Sequence, residues 1–494
     1  MQWRIRPPCG LLGAPQRDQE DPSGDQRLPS LTRAASKAKR EDACPIALLG
    51  GPTSPEAQRL VQTLMDDVVL PYRLTLGHSK NAGGATISKL TTAAEALLAD
   101  LCSLTRARSS SGSRVAGAHG MSRSSFSSKG HLGFGYDIFS QVVRALEGEG
   151  LLTRKTGYPK WGAPPGERTG TATCFNLTEK MIELAVTHEV LLDDWSDHWT
   201  LKTSRGATVG RPVILLRAKR KTIKGEKQPA KSLPVDWSNA RVQAIEEQMQ
   251  RINAYLQSQK IDGLAFTGLR RIFNNGDQED FDWNKGGRFY SMADGQSYER
   301  WPARYREALL TINDEPTTEV DLRASHLTLL HALTGEKFDP SDDPYHIEEY
   351  PRIIVKLWVA QAIGSSNPRP SQWSKKSKAD YEEERPGCDL QVDFPCREVG
   401  AAVKNKHSLL VDLGFLRLST LDLQYHEAEI LRRAMEKLMF ERGIPALPIH
   451  DALIVPQSFA GGAEDCLKLA FEEHVEDVTG DGCLVVPNVT LKGS

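Results

Sequence analysis

Two short segments end an apolar, strand-like run with a carboxylate, and they constrain the fold more than any other part of this 494-residue chain. In TEVDLRASHLTLLHALTG (318–335), apolar and polar residues alternate up to Asp321, and a helical pattern follows. In ALPIHDALIVP (446–456), the polar pair His450-Asp451 interrupts two apolar runs. The first segment therefore predicts a strand that leads into a helix capped by Ser325, and the second predicts a strand or hairpin.

These segments place oxygen ligands where a strand ends. A polar pair inside an apolar strand costs free energy unless it is hydrogen-bonded or bound to a metal. Carboxylate and carbonyl oxygens suit Mg²⁺, so Asp321, Asp451 and the backbone carbonyl of Leu322 are candidate metal ligands. Together they would hold two Mg²⁺ ions, or Mn²⁺ in their place. A single Asp in a strand is more often structural, and the sequence leaves that alternative open.

A third segment, DPYHIEEYPRIIVKLWVAQAIG (343–364), supplies positive charge between the other two. Arg352 and Lys356 are one turn apart and share a helix face. A cationic pair of this kind is suited to binding a triphosphate.

Composition excludes few classes of function. The net charge of −2 does not indicate a partner, and the eight cysteines form no CxxC pair, which is typical of reduced thiols in a cytoplasmic protein. No apolar run is long enough to cross a membrane. Residues 1–45 are rich in Arg, Pro, Ser and acidic residues and predict a disordered arm. The Ser/Gly/Arg-rich stretch 106–130 also predicts a flexible, basic segment.

The N-terminal half contains a pattern typical of a winged helix. GYDIFSQVVRALEGEGLLTRKTG (135–157) predicts a helix, and 151–156 and 171–176 predict two strands joined by a Pro/Gly loop. Such a helix enters a DNA groove while the loop contacts phosphates, although a hairpin used only for protein contacts fits the same pattern. The candidate DNA-binding residues are Arg144, Arg154, Lys155, Lys160 and Arg168.

From about residue 264 to residue 486, the sequence resembles the palm of family A DNA polymerases and of the related single-subunit RNA polymerases. Asp321 matches the metal-binding Asp of the first palm motif, and His450-Asp451 matches the His-Asp pair of the second. His326 stands where the DNA enzymes carry a ribose-excluding Glu. Arg352 and Lys356 match the spacing of the phosphate-binding pair in the fingers helix.

Other matches are partial. Where the family has an aromatic-Gly pair, this chain has Ile363-Gly364, so the stacking Tyr is missing. Gln424 stands about where the family has a Gln that contacts the template. GGRFY (286–290) offers Arg288 to a phosphate or minor groove and Tyr290 for stacking, with the glycines allowing close approach of a strand. Arg270, Arg271 and Arg306 are further candidates for lining the cleft.

The resemblance implies an α+β protein with a polymerase-like palm, an antiparallel sheet with helices, and reduced fingers. The predicted divisions are a disordered arm (1–45), a winged-helix domain (46–216), a basic linker (217–233) and a palm and fingers domain (234–494). The implied function is template-directed nucleotidyl transfer with nucleoside triphosphates on DNA, in a bacterial or phage mobile element. Two alternatives remain: a non-catalytic replication initiator with a degenerate palm, and a metal-dependent nuclease that adds Glu319 to the two aspartates.

Overall fold

The computed structural model describes most of the chain from Ala43 onward. The described ranges are 43–77, 83–105, 114–127, 132–157, 172–191, 194–201, 211–223, 226–263, 266–293, 297–336, 342–364, 370–385, 387–411, 418–483, 485 and 487–492. They fall into two compact units. Of the described residues, the sheet unit comprises those in 43–322, 428–470 and 489–492, and the helical unit comprises those in 323–427 and 471–488.

Helices and short strands share the described residues, in a mixed α and β arrangement. The strands are β1 (Ala43–Pro45), β2 (Gly51–Pro52), β3 (Ala116–His119), β4 (Leu152–Lys155), β5 (Thr173–Leu177), β6 (Trp199–Thr200), β7 (Ile214–Arg217), β8 (Thr222–Ile223), β9 (Glu226–Lys227), β10 (Ser232–Leu233), β11 (Ile261–Asp262), β12 (Leu269–Phe273), β13 (Gly286–Ser291), β14 (Thr311–Ile312), β15 (Glu315–Leu322), β16 (Leu447–Ile449), β17 (Ala452–Pro456) and β18 (Val489–Lys492).

The α-helices are α1 (Pro55–Leu64), α2 (Leu70–Thr75), α3 (Gly84–Leu104), α4 (Arg123–Ser127), α5 (Tyr136–Gly148), α6 (Glu179–Thr187), α7 (Trp195–His198), α8 (Ala240–Gln257), α9 (Ala303–Leu309), α10 (Ser325–Thr334), α11 (Arg352–Gly364), α12 (Lys375–Glu384), α13 (Leu390–Asp393), α14 (Cys396–Lys406), α15 (Thr420–Glu436) and α16 (Ala460–Thr479). Short π-helical turns follow α1 (Met65–Val69) and α15 (Lys437–Glu441), and 3₁₀ turns cover Tyr298–Arg300, Ser408–Val411 and Gln457–Phe459.

The first sheet of the sheet unit has the order β1-β3-β5-β4. Its strands β4 and β5 form the antiparallel ribbon that the sequence predicts after helix α5, with Leu152 opposite Leu177. Along the chain the elements run α3, β3, α4, α5, β4, β5. Phe139 on α5 and Phe175 on β5 are fully buried, and their rings meet edge to face with centroids 6.0 Å apart. Burying aromatic side chains of this size fixes the helix against the ribbon.

A second sheet, in the order β10-β7-β12-β13, lies under helix α8. The apolar stripe of α8 is buried as its 3.6-residue period predicts, with Val242, Met249 and Ile252 almost inaccessible. Each of these side chains stabilises the packing by about 1.5–3 kcal/mol. Asn239 caps the helix by accepting hydrogen bonds from the N–H groups of Arg241 and Val242.

The third sheet has the order β11-β14-β15-β17-β16. The strand β18 also pairs with β15, on the side opposite β17. All pairings in this sheet are antiparallel. Every residue of β17 is buried, which explains its apolar run, and four of the eight residues of β15 are buried. This sheet carries both Asp321 and the His450-Asp451 pair.

Several predicted boundaries differ from the structure. The arm was predicted to reach residue 45, but Ala43–Pro45 forms β1, which pairs in parallel with β3. Residues 114–127 of the stretch predicted to be flexible form β3 and α4. The predicted linker 217–233 contains the β8–β9 hairpin and β10, which pairs with β7. The strand β7 in turn pairs with β12, so residues on both sides of the predicted linker share one sheet.

Candidate functional site

The two aspartates of the sequence motifs lie at the same end of two paired strands. Asp321 of β15 is opposite Ala452 of β17. The next residue along, Leu322, donates its N–H to the carbonyl oxygen of Asp451 over 3.1 Å. Asp321 and Asp451 are therefore adjacent across the strand pair although they are far apart in the sequence. Both residues are half-buried, and the Oδ1 of Asp321 is itself buried.

Asp451 belongs to the turn of a tight hairpin. The strands β16 and β17 pair Ile449 with Ala452, which leaves His450 and Asp451 as the connecting residues. His450 has a φ of +52°, in the left-handed region that costs a non-glycine residue about 1–2 kcal/mol. His450 is also exposed. Strained backbone of this kind is concentrated at functional sites.

A buried segment supports this hairpin from inside the sheet unit. Tyr298 is fully buried, and its hydroxyl donates to the carbonyl oxygen of Pro448 over 2.6 Å. The next residue, Glu299, accepts hydrogen bonds from the N–H of Ser291 and from the hydroxyl of Ser297. Burial raises the pKa of Glu299, and the nearby His450 acts in the opposite direction. The sequence analysis missed Glu299, because nothing local links it to a hairpin 150 residues away.

Glu319, the third acid of the nuclease alternative, is already paired within the fold. It is buried, and it forms an ion pair with the buried guanidinium of Arg306. Arg306 also donates to the carbonyl oxygen of Trp301. The expectation that Arg306 lines an open cleft is therefore wrong, since this side chain is held inside the fold.

The glycines of GGRFY serve a buried arginine rather than an approaching nucleic-acid strand. Arg271 is 1% exposed, and its Nε donates to the carbonyl oxygen of Gly287 over 2.7 Å. A Cβ at Gly287 would lie 2.8 Å from the Nη2 of Arg271 and 2.9 Å from the ring of Phe273, and the φ of +71° also favours glycine. Arg271 forms a 2.7 Å ion pair with Glu429. The expectations for these glycines and for Arg271 as a cleft residue are therefore corrected.

Arg288 and Tyr290 alternate with the buried Phe289 along β13, so they share the other face of the strand. Arg288 is half-buried and Tyr290 is exposed. Tyr290 pairs across the sheet with Arg270. This face presents an aromatic ring beside cationic side chains, which suits stacking on a base.

In the helical unit, His326 contacts a buried acid; this sugar-gate position is where the DNA polymerases carry the Glu that excludes ribose. His326 lies on α10, and its Nε2 is 3.3 Å from the Oε2 of Glu427 on α15. Glu427 is fully buried and also accepts a 3.0 Å hydrogen bond from the hydroxyl of Ser325. The N-cap of α10 is Ala324, with φ +52°, so the predicted cap role of Ser325 is wrong. Gly335 ends the helix with φ +68°, in the left-handed region that favours glycine.

The two predicted phosphate-binding cations share a face of α11, as their spacing predicts. The guanidinium carbon of Arg352 lies 5.2 Å and the ammonium of Lys356 lies 6.0 Å from the ring centroid of Tyr345. Both side chains are exposed. Arg352 also forms an ion pair with Asp343, which the sequence analysis did not anticipate. Gln424 is half-buried on α15 of the same unit.

The candidate DNA-binding residues have differing surroundings. Arg144 on α5 and Lys155 at the end of β4 are exposed. Arg154 forms a 2.7 Å ion pair with Glu147, so part of its charge is balanced within the protein. Lys160 and Arg168 lie outside the described residues.

The chemistry of the donors fits a hard divalent cation at the strand ends, because two carboxylates and a backbone carbonyl are all oxygen ligands. Within the described residues no group of three or more His, Cys, Asp and Glu side chains is arranged to hold a metal. Any cation here would therefore rely on the two aspartates, backbone oxygen and oxygens of its substrate. Within the same residues, no helix is both long and apolar enough to cross a membrane.

Comparison with known proteins adds little. No protein-family model matches this chain, and no curated protein matches it. One similar solved structure is the POL domain of Pol1 from M. smegmatis in complex with DNA primer-template and dNTP. The identity is 13%, the TM-score is 0.24, and the match covers 42% of this chain and 45% of that chain. A likeness at this level carries no argument, so the functional account rests on the residues themselves.

Proposed function

We propose that this protein is a template-directed nucleotidyltransferase that uses two divalent metal ions and extends a nucleic-acid strand. The observation that carries the proposal is the hydrogen bond from the Leu322 N–H to the Asp451 carbonyl, with Asp321 opposite Ala452. It brings two aspartates from distant segments to one end of a strand pair. Two neighbouring aspartates suit two-metal chemistry on phosphates.

In this proposal, Asp321, Asp451 and the carbonyl of Leu322 hold the cations. Two bound Mg²⁺ ions would acidify the attacking hydroxyl and offset negative charge on the leaving phosphates. The protein contributes the fixed position of the ligands, because β15 is clamped between β17 and β18. His450 is exposed beside Asp451 and would orient the end of the strand being extended.

The helical unit, taken by itself, has side chains suited to binding a nucleotide. Arg352 and Lys356 would bind the phosphates as charge-assisted donors, which are about twice as strong as neutral ones. His326 would contact the sugar, and the buried Glu427 would fix the orientation of its ring. Arg288 and Tyr290 on the exposed face of β13, together with Gln424, would contact the template or primer.

The surroundings of Glu319 favour this function over the nuclease. A nuclease that used Glu319 as a ligand would have to break its buried ion pair with Arg306, and removing one partner of such a pair costs about 3–5 kcal/mol. The replication-initiator alternative predicts DNA binding with no chemistry, and the extension assay below separates it from the polymerase.

We also propose that the domain of residues 46–216 binds duplex DNA as a winged helix. The proposal is supported by the element order α3, β3, α4, α5, β4, β5 and by the antiparallel β4–β5 ribbon. Arg144 on α5 and Lys155 on the ribbon are exposed and available to phosphates. The acids Asp137 and Glu147 of α5 are each paired with an arginine, Arg123 and Arg154.

The proposed chemistry is tested by primer extension with Mg²⁺ and either deoxyribonucleotides or ribonucleotides. The variants Asp321→Asn and Asp451→Asn remove one negative charge each at nearly constant volume. Asp465→Asn is the matched control, because Asp465 is exposed on α16. Extension by the wild type and the control, reduced at least about a thousandfold in either active-site variant, supports the proposal. Strand cleavage without extension, or DNA binding with neither activity, would refute it.

A further inference from the structure

One carboxylate in the helical unit joins two arginines that come from separate elements. The Oδ2 of Asp343 accepts a 2.6 Å hydrogen bond from the Nε of Arg352, at the start of α11. The Oδ1 of Asp343 lies 3.4 Å from the Nη2 of Arg323, which precedes α10. Two guanidinium groups therefore converge on a single anionic group.

The position of Asp343 is fixed by the segment that carries it. The Oδ1 of Asp343 accepts a 3.1 Å hydrogen bond from the N–H of Tyr345. The ammonium of Lys406, at the end of α14, binds the carboxylate of Asp342 and donates to the carbonyl oxygens of Asp343 and His346. These contacts hold the segment beside both arginines, so an incoming anion has to displace only the side chain of Asp343.

The two arginines remain within reach of a ligand from solvent. The side chains of Arg323, Asp343 and Arg352 are 29%, 24% and 49% exposed. Lys356 adds a third cation on the same face of α11, beside the ring of Tyr345. The guanidinium groups lower the pKa of Asp343 despite its partial burial, so at neutral pH the carboxylate is ionised.

A carboxylate and a phosphate present similar oxygen pairs to a guanidinium, and arginine binds both through parallel N–H donors. A triphosphate chain carries more charge than one carboxylate and can contact all three cations at once. The carboxylate of Asp343 thus marks the place of a phosphate group and competes for it.

We propose that Arg323 is a further binding residue for the phosphate chain of a nucleoside triphosphate, and that Asp343 occupies the Arg323–Arg352 pair until the nucleotide displaces it. This inference rests on the proposed function, in which residues of the same helical unit bind the phosphates of the nucleotide. No covalent step is involved, because one anion exchanges for another. The consequence is a specificity for polyphosphate over singly charged anions.

The test is calorimetric titration of the full-length protein with inorganic tripolyphosphate, without a nucleic acid. Asp343→Asn removes the competing charge and is expected to tighten binding about two- to fivefold. Arg323→Gln is expected to weaken binding about tenfold. Asp465→Asn removes an exposed carboxylate on α16, and Arg397→Gln removes an exposed arginine on α14; both are expected to leave the affinity unchanged.

Thermal unfolding of each variant confirms that it is folded before its affinity is compared. An unchanged or weaker affinity in Asp343→Asn, or an unchanged affinity in Arg323→Gln, overturns the inference. It is also overturned if Asp343→Asn tightens binding to single-stranded DNA but not to tripolyphosphate, which would make the pair a contact for nucleic-acid phosphates.

This assay separates the inference from the proposed function. Tripolyphosphate binding needs neither Asp321 nor Asp451, so it can be repeated in the Asp321→Asn variant. If the wild type extends no primer but the affinities move as expected, the polymerase proposal fails and the polyphosphate site stands. If extension is observed and the affinities do not move, only this inference fails.

Discussion

Arg271 and Glu429 form a 2.7 Å ion pair in the interior of the sheet unit, with the arginine side chain 1% exposed. Arg432 donates to the same carboxylate from one helical turn away. The pair fastens β12 to the part of α15 that lies in the sheet unit. The glycine at position 287 leaves room for this guanidinium, which explains a motif that the sequence analysis assigned to nucleic-acid binding.

Removing one partner of this pair should be costly. Arg271→Met leaves the buried Glu429 carboxylate with less compensation, and we expect a loss of about 3–5 kcal/mol in the free energy of unfolding. Arg220→Met, at an exposed position in the same unit, should change it by less than about 0.5 kcal/mol. Urea denaturation measures both. The double variant Arg271→Met/Glu429→Leu should be more stable than Arg271→Met alone, and a double variant that is less stable would contradict this interpretation.

The same pair predicts a pH dependence of stability. Burial by itself would raise the pKa of Glu429, but Arg271 and Arg432 outweigh it and lower the pKa from 4.5 to about 2. A carboxyl with a depressed pKa binds fewer protons when folded, so its stabilising effect is full above pH 4.5 and is lost as the pH falls toward 2. The free energy of unfolding should therefore fall more between pH 5 and pH 3 in the wild type than in Arg271→Met/Glu429→Leu. Equal drops would show that Glu429 does not contribute.

The contact between His326 and Glu427 makes the sugar-gate position sensitive to charge. His326→Glu, the residue that the resemblance places there, would set a second carboxylate against the fully buried Glu427. Like charges at this distance raise one pKa and destabilise the fold. We expect His326→Glu to lose about 1–3 kcal/mol relative to His326→Gln in urea denaturation. Adding Glu427→Gln should restore most of that loss, and His326→Glu with the stability of His326→Gln would disprove the coupling.

Duplex binding by the proposed winged helix should depend on phosphate contacts. Arg144→Ala and Lys155→Ala should each weaken binding across unrelated sequences and reduce the slope of log affinity against log salt by about one. Lys89→Ala, at an exposed position on α3, is the control and should leave the slope unchanged. Fluorescence anisotropy at a series of salt concentrations measures all three. Identical slopes for the wild type and both variants would exclude these residues from the interface.

Local patterns in the sequence predicted local structure well. The strand around Asp321, the hairpin around His450-Asp451 and the helix that carries Arg352 and Lys356 follow from residue periodicity and turn signals. The pairing of Asp321 with Ala452 could be expected only through the resemblance, because strand register across distant segments leaves no local signal.

Charge pairs were the main source of error. Arg271 and Arg306 looked available to nucleic acid, but each is buried against an acidic partner that a linear sequence does not reveal. The contacts of Asp343 and Glu427 with candidate site residues were overlooked for the same reason. The importance of these two acids lies in which cations they contact, and only the tertiary fold decides that.

The shared binding of divalent cations by Asp321 and Asp451 is tested most directly by titrating the protein with Mn²⁺ and measuring free Mn²⁺ by electron paramagnetic resonance, with a nucleoside triphosphate present. We predict that the wild type and Asp465→Asn bind the ion equally, and that Asp321→Asn and Asp451→Asn each lose at least about tenfold in affinity. Equal binding by all four proteins would mean that the two carboxylates do not share a metal, and it would contradict the account.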